Sequence, residues 1–143
     1  MDGLEQKLSE VFGNLPPLSP GARQMATKVV PWVLIVLGVL GMLAWLSTIS
    51  VFFGIMGVAS HFGVMGPGLL MIVHLILAPI VQVLVLYGAY LMLNKRRQGW
   101  RIVFYALVFG VVSHLLAISI LGLILDCVFG YLLFQIREFY IEA

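Results

Sequence analysis

The chain has 143 residues, of which 62% are hydrophobic and 10% charged, and its mean hydropathy is +1.12. A soluble domain carries about 25% charged residues, so too little polar surface is present to wrap a water-facing globule. The net charge of +2 gives no argument for a nucleic-acid partner, and the single cysteine, Cys127, excludes an intrachain disulfide. The expected class is an all-α integral membrane protein with lipid as its main solvent.

The N-terminus reads MDGLEQKLSE, acidic and amphipathic where a signal peptide needs a basic start and a short apolar core, so none is expected. Over residues 3–13, Leu4, Leu8, Val11 and Phe12 fall at i, i+4, i+7 and i+8. That spacing predicts a short amphipathic helix on the membrane surface, with docking to a partner as its second reading. The stretch NLPPLSPG follows, and its prolines make it a linker. Residues 1–28 thus read as an amphipathic segment plus linker, and residues 29–143 as a transmembrane bundle.

The first apolar block begins at Val29, with Pro31 placed where a first helical turn tolerates proline. It is expected to give one span over about 29–57, with an interfacial extension. The glycines and proline of HFGVMGPG, 61–68, break the helix. A second span is expected over 69–93. Pro79 lies inside it, removing one helical hydrogen bond and crowding the carbonyl of Leu75. A kink is expected there, with a neighbouring polar group or water satisfying that carbonyl.

The loop NKRRQGWR, 94–101, holds Lys95, Arg96, Arg97 and Arg101, four of the chain's eight cations. Such loops stay in the cytoplasm. Arg23 and Lys28 precede the first span, and two spans separate the basic groups, so N-terminus and loop are both expected to be cytoplasmic. A lipid-headgroup or partner contact is the loop's second reading. Trp100 reads as an interfacial anchor. Trp32, Trp45, Phe52, Phe53, Phe104 and Tyr105 read as lipid-facing or interfacial packing.

The last apolar block runs from Ile102 to Ile136. As one helix it would measure ~52 Å, against a hydrocarbon core of about 30 Å. Two spans, about 102–117 and 120–137, with a tight turn near Ala117 to Ile120 fit better, although no glycine or proline marks that turn. The expected bundle has four transmembrane helices, three being the alternative. Phe139 and Tyr140 are expected at the interface. Short loops suit a bacterial inner membrane.

Polar residues inside such a protein usually face protein or a cavity. Four stand out, His74, Gln82, His114 and Asp126, with His61 in the outer loop. His74, Ala78, Gln82, Val85 and Ala89 share one helical face. So do Ala106, Gly110, His114 and Ala117, and so do Ser119, Gly122, Asp126 and Gly130. Each polar residue shares its stripe with small ones, which let membrane helices approach closely. The three stripes are therefore expected to face each other.

This cluster has four readings. It can hold helices in register. It can carry protons, with Asp126 as carrier and His114 or His74 as relay. His74 and His114 can ligate haem or chlorophyll. His61, His74 and His114, with Asp126, can bind zinc or iron, though no HxxxH or ExxH spacing is present. No nucleophile elbow or phosphate-cradling glycine loop occurs, so no enzyme is expected. The leading expectation is a non-enzymatic accessory or assembly subunit of a larger membrane complex. Its partners would be the lipid bilayer and other membrane subunits or a second copy. A small oligomeric proton-coupled transporter and a pigment- or haem-binding subunit follow.

Overall fold

The computed structural model describes residues 3–14, 16–62 and 69–141. Of the break expected at 61–68, residues 63–68 lie outside them, as do the side chains of Leu4 and Leu8 in the N-terminal stripe. Among the described residues every regular element is a helix: α1 (Gly3–Gly13), α2 (Pro20–His61), α3 (Leu69–Leu93), α4 (Arg97–Leu116), α5 (Ile120–Gln135) and α6 (Glu138–Ile141). Three stretches, Pro20–Ala59, Met71–Leu93 and Arg97–Leu116, are long and apolar enough to cross a membrane. This fits an integral membrane protein. α5 is as apolar but has 16 residues, roughly 24 Å at 1.5 Å per residue.

α2 starts at Pro20, well before the apolar block at Val29. The Ser19 hydroxyl accepts from the Ala22 amide at 3.3 Å, and its carbonyl from the Arg23 amide at 3.0 Å. Ser19 is thus an N-cap and Pro20 the first helical residue, where a missing N–H costs nothing. Residues 20–28 are therefore helix rather than linker, and Pro31 lies inside α2 instead of in its first turn. With 42 residues, α2 is roughly 63 Å long, far beyond a hydrocarbon core.

The two tight connections share one device. After α3 the amides of Lys95 and Arg96 bond the carbonyls of Met92 (2.9 Å) and Leu91 (3.1 Å). After α4 those of Ile118 and Ser119 bond Leu115 (3.2 Å) and His114 (2.8 Å). This crossed pair of bonds closes a helix end around one left-handed residue, usually glycine. Here that residue is Lys95 (φ 54°) and Ile118 (φ 53°). The Ser119 hydroxyl then caps α5 by accepting from the Gly122 amide at 3.3 Å. A glycine-free turn between α4 and α5 is possible because an isoleucine takes the strained conformation.

The helices pack in chain order, α2 on α3, α3 on α4 and α4 on α5, while α2 and α5 touch at few residues. α3 and α4 come closest. A Cβ on Gly99 would lie 2.6 Å from the Met92 nitrogen and 2.8 Å from the Gly88 oxygen, so backbone meets backbone there.

The most buried cluster sits at the basic-loop end: Val30, Leu34, Ala89, Met92, Trp100, Val103, Phe104, Leu133, Ile136 and Tyr140. Trp100 is 0% exposed, not an interfacial anchor. Its ring stacks on Phe104 at 5.6 Å, the Arg137 guanidinium lies 5.6 Å from its centroid, and its indole N–H donates to the Leu133 carbonyl at 2.8 Å. That carbonyl belongs to the last turn of α5, where no helical amide follows. Phe104 and Tyr140 are likewise core residues rather than interfacial ones.

α1 packs on α5. The Phe12 ring stacks on Phe134 at 5.0 Å and lies close over Gly130. The linker after it is tied to the same helix: the Tyr131 hydroxyl donates to the Pro16 carbonyl at 2.6 Å, and the Leu18 amide donates to Gln135 Oε1 at 3.3 Å.

Candidate functional site

Among the described residues, each neighbouring pair of helices from α2 to α5 is joined by a polar tie away from the basic loop. Between α2 and α3, the Trp45 indole N–H donates to the Leu75 carbonyl at 3.0 Å. Between α3 and α4, His74 Nδ1 lies 2.9 Å from Ser113 Oγ and 3.2 Å from the Ser113 carbonyl. A protonated Nδ1 donates to either oxygen; a bare one accepts from the hydroxyl. Between α4 and α5, His114 Nδ1 lies 2.8 Å from Asp126 Oδ2. One proton lies between these two atoms whichever group formally holds it.

Glycines make the room for these groups. The imidazole of His114 rests against Gly122 of α5, where a Cβ would overlap the ring. In return, the Asp126 carboxylate faces Gly110 of α4, with both oxygens 3.4 Å from where a Cβ would stand. On the other side of the bundle the Gln82 amide sits over Gly41 of α2, where a Cβ would fall 2.5 Å from Nε2. Each polar side chain thus occupies the space a facing glycine leaves.

Three of the four predicted polar residues share one cavity. It has a volume of about 360 Å³ and lies where α2 and α5 fail to close on each other. Gln82, His114 and Asp126 line it among apolar neighbours that include Leu37, Val81, Leu125 and Phe129. Asp126 is the more enclosed of the pair, at 10% side-chain exposure against 33% for His114. Gln82 is half-buried, and among the described residues no hydrogen bond reaches its amide.

His74 is not part of that cavity. It is turned onto the α3–α4 seam by Ser113, so it does not share a ligand space with His114. The two rings are not brought together on one haem. His61 is exposed at the end of α2, its Nδ1 2.9 Å from the Gly57 carbonyl of its own helix. Among the described residues no three His, Cys, Asp or Glu side chains converge as metal ligands. His61, His74 and His114 belong to three different helices, α2, α3 and α4. Cys127 is exposed.

The basic loop is a separate surface. Lys95, Arg96, Arg97 and Arg101 are all exposed. Near it, Arg23 pairs with Glu138 at 3.5 Å, and the Tyr140 hydroxyl donates to the Thr27 carbonyl at 3.2 Å. Burial pushes the Tyr140 phenol up to about 12, so it stays a donor at any physiological pH.

Sequence reasoning did not identify Trp45, Ser113 and Tyr140 as hydrogen-bonding partners. For two of them a signal existed. Pro79 points to the carbonyl of Leu75, and Pro31 to that of Thr27, four residues back in each case. The sequence says that a donor is needed and not which one supplies it.

No protein-family model, no curated protein and no solved structure matches the chain.

Proposed function

We propose that the protein is a non-enzymatic subunit of a larger membrane assembly, and that the α2–α5 side of its bundle receives a transmembrane helix of a partner subunit. In this reading α2, α3, α4 and α5 form four spans. The N-terminus and the Lys95–Arg101 loop lie in the cytoplasm, following the rule that cation-rich loops stay there, and a bacterial inner membrane is the expected location.

The observation that carries the reading is the Gln82 amide, without a hydrogen bond among the described residues, on the wall of a cavity between two helices that scarcely touch. In hydrocarbon an unsatisfied amide is costly, whereas polar side chains bonded across helices hold membrane assemblies together. The other interhelical polar groups already have partners within the bundle, which supports a structural role for them. A visiting helix with a hydroxyl, amide or carbonyl at the depth of Gln82 would complete the set. Tagged protein purified from its native membrane in mild detergent should carry a stoichiometric membrane partner, and Gln82→Leu should lose it while remaining folded. Retention of the same partner by Gln82→Leu would overturn the assignment, and recovery of a second copy alone would redirect it to a homo-oligomer.

A second reading rests on the His114–Asp126 pair, which lines the same cavity. A carboxylate sharing a proton with an imidazole is the elementary unit of a proton relay in membranes. Proteoliposomes should then show proton flux that Asp126→Asn abolishes. Equal flux from the variant and the wild type would remove this reading.

A further inference from the structure

We infer that the basic-loop end of the bundle carries a binding pocket for an anionic phosphate group, of the kind an acidic phospholipid presents. A cavity of about 270 Å³ is lined by Thr27, Lys28 and Trp32 of α2, by Met92, Leu93 and Lys95 at the end of α3, and by Phe139 and Tyr140 of α6. Two lysines from separate elements therefore face one space. Among the described residues no carboxylate lines it; Glu142 lies outside them. The nearest acid in sequence, Glu138, is engaged by Arg23.

Each lysine has an ordinary explanation to be weighed. A cation after the end of α3 complements the exposed carbonyls of that helix, which accounts for Lys95 in part. The crossed bonds that end α3 account for its left-handed backbone, as they do for that of Ile118. Lys95 holds φ at 54°, where glycine or asparagine is favoured and other residues cost about 1 kcal/mol or more. Lys28 lies within α2 and caps nothing.

The rest of the lining suits a lipid. Trp32 is 61% exposed, and tryptophans gather at the level of the headgroups. Met92 and Tyr140 form a buried floor. Apolar walls would take the start of the acyl chains while the two ammonium groups take the phosphate. Basic pockets between membrane helices bind acidic headgroups in this way, each cation contributing about 1 kcal/mol. The site is distinct from the α2–α5 cavity and does not depend on the partner helix.

The test is native mass spectrometry of the full chain released from nanodiscs containing equal phosphatidylglycerol and phosphatidylcholine. Wild type should retain phosphatidylglycerol selectively. The Lys28→Gln/Lys95→Gln variant should retain it roughly thirtyfold less, following the loss of two such cations. The Arg96→Gln/Arg97→Gln variant removes the same charge outside the pocket and should bind as wild type. Unchanged melting temperatures would show that both variants fold. Inorganic phosphate added at millimolar level separates the sources: displacement of the lipid assigns a free phosphate, and no displacement assigns the headgroup. Equal retention of both lipids by wild type, or equal losses in the two double variants, would overturn the inference.

Discussion

The indole of Trp45 donates its N–H to the Leu75 carbonyl, and Leu75 is the residue that Pro79 deprives of a helical amide. The arrangement recurs at the other internal proline. Pro31 frees the Thr27 carbonyl, and the Tyr140 hydroxyl donates to it. In both cases an aromatic donor from another helix fills the vacancy, so a local helix defect becomes a tertiary contact. In lipid a carbonyl freed by proline has to be satisfied again, by water, by a side chain or by a neighbouring helix, and here a neighbouring helix does it.

Trp45→Phe should destabilise the bundle by about 1 kcal/mol, the range for a hydrogen bond between membrane helices. In a Pro79→Ala background the amide of residue 79 can serve Leu75 itself, and Trp45→Phe should then cost much less. A double-mutant cycle of unfolding free energies in detergent checks this. Equal cost in the two backgrounds would separate the indole from the proline.

Tyr140→Phe removes the donor to Thr27 and should also lower stability by about 1 kcal/mol near neutral pH. The pH dependence follows from the folded phenol holding its proton up to about 12, against about 10 when unfolded. The folded state binds that proton more tightly. Its stabilising contribution is complete below pH 10 and lost as pH rises from 10 through 12. Wild type should therefore lose stability over that window more steeply than Tyr140→Phe, as read by chemical unfolding at stepped pH.

Glycine substitutions should rank by what they meet. Gly99→Ala forces a Cβ against the backbone of α3 at Met92 and Gly88, which cannot yield without parting the helices. A cost of about 3 kcal/mol or more is expected. Gly122→Ala displaces the His114 ring and breaks its bond to Asp126, for about 1–3 kcal/mol. Gly110→Ala only touches the Asp126 carboxylate and should be the mildest. Thermal melting of the three variants tests the order.

Ile118→Gly should stabilise the protein by roughly 1 kcal/mol, because a β-branched residue in the left-handed region is strained. Ile118 is 85% exposed, so little packing is lost with its side chain. A lower melting temperature for Ile118→Gly would mean that the strain is compensated by contacts of that side chain with lipid.

Much of the fold was legible because hydropathy and punctuation agree along the chain. The polar residues could also be found, since so few occur among apolar ones, and the small-residue stripes of α4 and α5 meet, whereas on α3 His74 turns to Ser113 and Gln82 to Gly41 of α2. Three things were not legible. The start of α2 depends on a Ser19–Pro20 cap that a hydropathy break at Val29 hides. The α4–α5 turn carries no glycine, because Ile118 adopts the conformation that glycine usually supplies. The division of His74 from His114 depends on which neighbour each ring reaches. Ser113 lies beside His114 in sequence yet faces the opposite seam, and helical spacing alone does not assign partners.

The central claim is that the open side between α2 and α5 is an interface. A photo-crosslinking residue at Leu125, which lines the cavity and is 42% exposed, tests it directly in native membranes. The same residue at Tyr87, 54% exposed outside the cavity, is the control. The account predicts a discrete adduct with a transmembrane segment of another polypeptide from position 125, abolished by Gln82→Leu, and none from position 87. Lipid adducts alone at both positions would contradict it.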